Sequence, residues 1–186
     1  MLDKFISIIW AIIKNPYEYF SVQMPKDNTV REPLIFAIII TTITSLIYYL
    51  GSAITMKYGV ALLFLLVFLF PIATILTLYI SAFFTQCVIF FFCPQRANFN
   101  QTLKVLSYSS AANVFMVFPV IGAFIATIFY IRAVIFGLSA IHNVSALKMF
   151  ILFIVVPFVL AMILCILIFA LFGAALMQLM SQYSII

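Results

Sequence analysis

Four carboxylates, one imidazole, three thiols and a scatter of amines and hydroxyls are what this chain offers for acid–base or nucleophilic chemistry. The acids Asp3, Glu18, Asp27 and Glu32 fall within the first 32 residues, and His142 is the single histidine. General acid–base catalysis needs titratable groups within hydrogen-bond reach of one another and of a substrate. A zinc protease needs two histidines and a glutamate on one helix face, and a phosphate loop needs glycines ahead of its lysine. Neither spacing occurs. The expectation is therefore a protein that is not an enzyme, with no catalytic residue, no metal site and no cofactor. Cys87, Cys93 and Cys165 lie in apolar runs without metal-ligand spacing. They read as small buried hydrophobes, with Cys93, next to Pro94, also placed for acylation.

Two polar groups remain. Arg132 lies deep in an otherwise uncharged run, where a cation is costly and needs relief. It either snorkels to the nearer face and to lipid phosphate, or finds a protein partner. The candidate partners are Glu18, Asp27 and Glu32 folding over the mouth of a bundle, or carbonyls and tyrosine hydroxyls of neighbouring helices. The second group is Lys104, Ser107, Tyr108, Ser109, Ser110 and Asn113, which with Ala111 and Ala112 make a small, hydroxylic helix side. Such a side lets helices approach closely and bond across the contact. Tight packing is one reading; a polar crevice for lipid or for a partner's helix is the other. Gly122-x-x-x-Ala126 is a second small-residue face, and His142 falls in a turn.

The elements that hold these residues are dictated by composition. The chain is 68% hydrophobic and 7% charged, with a mean hydropathy of +1.35. A soluble domain carries roughly 25% charged residues, so this is a polytopic all-α membrane protein. Residues 2–14 read as an interfacial amphipathic helix, with Lys4, Ser7 and Lys14 on one stripe and Trp10 among the apolar remainder. A short second helix follows, capped by Asn15 with Pro16 at its first position and Glu18 three residues after the cap. The hydrophilic stretch 25–32 ends in Thr29-x-x-Glu32, a capping-box pattern.

Five spans are expected, at 34–56, 60–92, 99–118, 120–141 and 146–177. Each exceeds the roughly 17 residues that a hydrocarbon core requires. The second is either one helix bent at Pro71 or contains a re-entrant piece. Asn98 is the expected cap of the third, with Gln101 three residues on, and Pro119 to Gly122 the tight connection to the fourth. Residues 1–33 would then be a cytoplasmic segment of interfacial helices and linker, and 34–186 the transmembrane domain. On this topology Lys4, Lys14, Lys26, Arg31, Arg96, Lys104 and Lys148 share one side and Lys57 alone marks the other. Basic residues flank the cytoplasmic side of spans, so the N-terminus is expected inside and the C-terminus outside. The formal charge of +5 is used up by this asymmetry and implies no nucleic-acid partner.

Several stretches resemble the Yip family, the Ypt/Rab-interacting membrane proteins that carry a Yip-one domain. They are Phe99-Asn-Gln-Thr-Leu-Lys-Val-Leu-Ser-Tyr-Ser-Ser, Pro119-Val-Ile-Gly122 and Gly137-Leu-Ser-Ala-Ile-His142-Asn-Val-Ser145. The front end, Lys14-Asn-Pro-Tyr-Glu-Tyr-Phe20 and Arg31-Glu-Pro-Leu34, is similar to the prokaryotic branch. The resemblance implies five spans with a cytoplasmic N-terminus. It also implies, for eukaryotic members, Rab binding through a long cytosolic N-terminal region; about 33 residues precede the first span here, so a Rab-type GTPase is not carried over as a partner. Ala111-Ala112 stands where relatives often have proline after Tyr-Ser-Ser, which implies a straighter third helix.

The functional expectation is an integral membrane scaffold or accessory protein in a prokaryotic plasma membrane. It would act through helix–helix and lipid contacts, in membrane organisation or trafficking or beside a transporter complex. Its partners would be membrane lipids and another membrane protein or a second copy. The alternative is a transporter or channel for a small or lipid-like solute.

Overall fold

The computed structural model describes residues 2–24, 27–56, 60–93, 97–118 and 121–183. The expected turn at 57–59, the loop at 94–96 and the first half of the Pro119–Gly122 connection lie outside them. All regular structure among the described residues is helical. The chain divides into two compact units, Met1–Met149 and Phe150–Ile186.

In the first unit, α1 (Leu2–Lys14) is amphipathic on three faces rather than two. Phe5, Ile8, Ile9 and Ile12 recur at helical spacing and are partly or fully buried, while Asp3, Lys4, Ser7 and Lys14 are exposed. A third, apolar face leaves Ile6 and Trp10 uncovered, as an interfacial helix requires. The chain turns at Asn15, whose Oδ1 accepts from the Glu18 amide at 3.4 Å while its Nδ2 donates to Glu18 Oε2 at 2.9 Å. This starts α2 (Pro16–Glu18), which continues as a π-helical turn over Tyr19–Gln23.

The helix α3 (Arg31–Met56) begins two residues before Pro33. The Leu34 amide closes on the Val30 carbonyl at 3.1 Å, so the missing proline N–H falls in a first turn that has no internal acceptor for it. Thr29 bonds Asp27 instead of forming the expected box with Glu32. Next, α4 (Val60–Phe92) is one unbroken helix with Pro71 inside it, and the re-entrant alternative is not observed.

The expected third span is corrected. Among the described residues four helices, not the five expected, are long and apolar enough to cross a membrane: Arg31–Leu50, Phe68–Phe92, Ile121–His142 and Ala146–Ala170. Residues 99–118 form instead α5 (Phe99–Ser109) and a 3-10 run, Ser110–Val117. The Ser110 amide is shared between the Ser107 and Tyr108 carbonyls, where the helix tightens. Ala111-Ala112 therefore marks a change of helix type, not a straighter helix. Every residue from Thr102 to Ala112 is buried. A segment that carries Lys104 and three serines is too polar to face hydrocarbon, and it is covered on its flanks by α3, α4 and α6 (Ile121–His142). Asn98 starts α5 through its carbonyl alone; the Gln101 and Thr102 amides donate to it at 3.0 and 3.2 Å, and no side-chain cap forms.

Close packing at two glycines seats this segment. A Cβ on Gly122 would lie 2.0 Å from the Phe115 carbonyl oxygen, and one on Gly137 would lie 2.6 Å from a Val105 methyl and 2.8 Å from the Phe20 ring. The helix α6 ends at Asn143, in the left-handed region at φ 52°. There the Val144 amide reaches back to the Ser139 carbonyl at 3.2 Å, a helix stop that asparagine tolerates. α7 (Ala146–Phe150) follows. The second unit is a π-helical turn, Ile151–Val155, and α8 (Val156–Tyr183). From Phe158 to Phe172 its described side chains are exposed on all sides; helices apolar all round belong in lipid or in a core.

Candidate functional site

Three polar assemblies are built around α5 and the 3-10 run that continues it, each from residues far apart in the chain. The first lies at the start of the segment. The Ala97 amide donates to His142 Nδ1 at 2.9 Å, which leaves the ring proton on Nε2, 3.2 Å from Thr102 Oγ1. Thr102 donates to Gln86 Oε1 at 2.7 Å, and Gln86 Nε2 donates to the Ala97 carbonyl at 3.0 Å. The four bonds close a ring in which donors and acceptors alternate. It ties the ends of α4 and α6 and the entry to α5 to one end of the bundle. His142 is thus a structural node, and its sequence placement in a turn corresponds to the buried last residue of α6.

The second assembly is at the same end. Lys104 Nζ is 2.6 Å from Asp27 Oδ1 and 2.6 Å from the Asp27 carbonyl. The lysine side chain is 1% exposed and the aspartate 55%. The ammonium beside it, and then the Thr29 hydroxyl, hold the Asp27 carboxyl below its ordinary 3.8. These residues, with Glu32 and Tyr108, line a cavity of about 150 Å³. Tyr108 packs edge-on to Tyr19, with ring centres 5.6 Å apart, and against Phe36 at 5.4 Å. Burial, then the neighbouring Tyr108, pushes the Tyr19 phenol well above its ordinary value.

Arg132 pairs with backbone carbonyls and with no acid among the described residues. Its guanidinium donates to the Ile13 carbonyl at 3.2 Å and the Lys14 carbonyl at 3.4 Å, the open C-terminal end of α1. A cation is favoured there by the helix dipole. It also sits 6.0 Å from the Phe129 ring centre. Of the candidate partners, it is backbone carbonyls of a neighbouring helix that it meets; Glu18, Asp27 and Glu32, the other candidates, are engaged elsewhere: Glu18 with Asn15, Asp27 with Lys104, and Glu32 with Lys4 at 3.0 Å. Arg132 lies ten residues before the end of α6, about 15 Å at 1.5 Å per residue, and its guanidinium reaches the end of α1.

The third assembly is a crevice of about 430 Å³ between α4 and α6, floored by the 3-10 run. Ser110 and Asn113, both singled out from the sequence, line it together with Thr41, Thr74, Thr77 and Tyr130. Asn113 Nδ2 donates to Thr41 Oγ1 at 3.4 Å. Thr74-x-x-Thr77 and Thr127-x-x-Tyr130, hydroxyls one turn apart within apolar runs, are the sequence signal for this wall. Gln86 and Thr102 carried no comparable signal. Ser107 points elsewhere: its hydroxyl and that of Ser109 are buried with no partner among the described residues, so they supply small volume rather than bonds. Cys93 is buried and Cys165 is exposed on α8.

No cluster of metal-binding side chains occurs among the described residues. Neither curated proteins nor solved structures give a match. The family described as the Yip1 domain matches residues 10–182. That interval runs from the last turn and a half of α1 almost to the end of α8, through all three assemblies, and the chain belongs to the Yip1-domain family.

Proposed function

We propose that this membrane protein is a non-enzymatic scaffold of a prokaryotic plasma membrane, working through lipid and helix–helix contacts to organise membrane or to accompany a transporter complex. One observation carries the reading. The groups able to do chemistry are spent on holding the bundle together: His142 in the ring, Lys104 on Asp27, Arg132 on α1. The outward faces are apolar, with Phe83, Phe84 and Phe91 on α4, Phe124 and Ile128 on α6, and Phe158 and Phe169 on α8 all exposed. Helices of that kind are recognised by lipid or by other membrane helices.

Orientation follows from charge. The ring, the Lys104–Asp27 pair and the Asn100–Asn28 bond at 3.2 Å mark one end of the first unit, where Lys4, Arg31 and Lys148 also lie in sequence. The positive-inside rule assigns that end to the cytoplasm. The broken α5 segment leaves it at Ala97 and reaches Gly122, the far end of α6, which supports a fifth, protein-covered crossing and a C-terminus outside.

Affinity purification in mild detergent tests the scaffold reading. The expected result is a defined complex or oligomer with a copurifying membrane protein or lipid; a clean monomer with neither would sink it. The transport reading draws on the 430 Å³ crevice. Against it, the crevice and the cavity at Lys104 share no lining residue, and Leu106, Val134 and Leu138 are buried in the stretches between them.

A further inference from the structure

The crevice between α4 and α6 has a chemistry that the scaffold reading does not use. Thr74, Thr77, Ser110 and Tyr130 line it with hydroxyls that have no hydrogen-bond partner among the described residues. The Asn113 side-chain oxygen is likewise open, since its amide nitrogen makes the bond to Thr41. Polar groups in a bilayer interior must be satisfied, and nothing in the helices around them does so. Thr77 and Thr127, both exposed, frame the mouth on the lipid side. By position along α6, 12 to 19 residues from His142, the crevice lies in the half of the bundle away from the charged end.

We propose that this crevice binds the headgroup of a neutral glycerolipid of the diacylglycerol class, entering sideways from the bilayer. Charge selects it: no Lys, Arg, His, Asp or Glu lines the crevice, so a phosphate or carboxylate would be desolvated without a counter-charge. A glycerol hydroxyl and two ester carbonyls offer the mixture of donor and acceptors that four hydroxyls and an amide oxygen can pair. Its volume of about 430 Å³ lies within the roughly 300–1,000 Å³ of small-molecule sites. Acyl chains would leave by the mouth and lie along the apolar faces of α4 and α6. This goes beyond the scaffold reading and does not depend on it.

The test uses the full chain in nanodiscs with a diacylglycerol carrying a photoreactive group near its glycerol, followed by peptide mapping. Saturable labelling of peptides within 73–78, 110–116 or 123–130, competed by unlabelled diacylglycerol and not by phosphatidylglycerol, is expected. Tyr130→Phe and Ser110→Ala should each weaken labelling roughly fivefold, the factor of one lost hydrogen bond. Thermal unfolding of these variants is measured alongside and should match the parent. Equal competition by phosphatidylglycerol, labelling that does not saturate, or labelling unchanged in both folded variants would each overturn the proposal, the last two leaving water alone in the crevice. A polar solute that competes as well as diacylglycerol would overturn it in favour of transport. The copurification experiment is unaffected by any of these outcomes, so the two readings fail separately.

Discussion

At the scale of single residues, the buried polar groups divide into those that are bonded and those that only fit. His142 belongs to the first kind. Its loss in His142→Ala strands the Ala97 amide and takes from the Thr102 hydroxyl the bond it accepts, leaving that hydroxyl only its bond to Gln86; this should cost about 1–3 kcal/mol of stability in detergent unfolding, the usual cost of one buried unsatisfied group. Ser107 and Ser109 belong to the second kind, being buried without partners among the described residues. Ser107→Ala and Ser109→Ala should leave the unfolding midpoint unchanged or raise it, because a stranded hydroxyl is removed at little change of volume. Lys104 and Asp27 add a pH dependence with a definite sign. The folded Asp27 carboxyl titrates below its ordinary 3.8, so its contribution is complete above that value and is lost as pH falls through the depressed one. Unfolding midpoints measured from neutral to acid pH should fall more steeply in the parent than in Lys104→Met, which removes the largest cause of the shift.

At the scale of elements, glycine separates packed from unpacked helices. Gly122→Ala places its methyl against a backbone oxygen 2.0 Å away, and backbone cannot move aside as a side-chain tip can. A loss of about 1–3 kcal/mol is expected, the usual cost of overpacking. Gly173, within α8, has nothing within 4 Å. Gly173→Ala should therefore stabilise, by up to about 1 kcal/mol, through backbone entropy alone. Both are read by thermal unfolding with fluorescence. Arg132 acts between elements, since its two bonds end on carbonyls of α1. Arg132→Met should loosen α1 from the bundle, seen as faster trypsin cleavage after Lys14 and faster amide exchange over residues 2–14, with α3 and α6 unchanged. Unaltered cleavage would show that the apolar face of α1 suffices to hold it.

At the scale of the whole molecule, the prediction concerns sidedness. A cysteine replacing Lys148 should react with an impermeant maleimide only from the cytoplasmic side, and one replacing Lys57 only from the outside, in a background without the native cysteines. The reverse pattern would overturn the charge argument. Much of this level was legible in the chain itself. Hydropathy summed over some twenty residues measures transfer from water to lipid, so the membrane class, the helical fold and four of the five expected spans could be read locally. The asymmetric placement of lysine and arginine is likewise a property of the string. The Yip resemblance rested on short motifs whose order survives without any contact being known. What hydropathy could not resolve was residues 99–118, where the average is apolar enough to suggest a span and the individual side chains belong inside protein. Only the surrounding helices decide that a lysine can be buried there, by bringing Asp27 from 77 positions away. The same is true of His142, whose ring partner Thr102 is 40 positions distant, and of Arg132, whose acceptors are 118 and 119 positions back. A residue's own chemistry states what it must pair with. Which group satisfies it is settled by packing, because hydrogen bonds act over about 3 Å and no spacing along the chain encodes that distance.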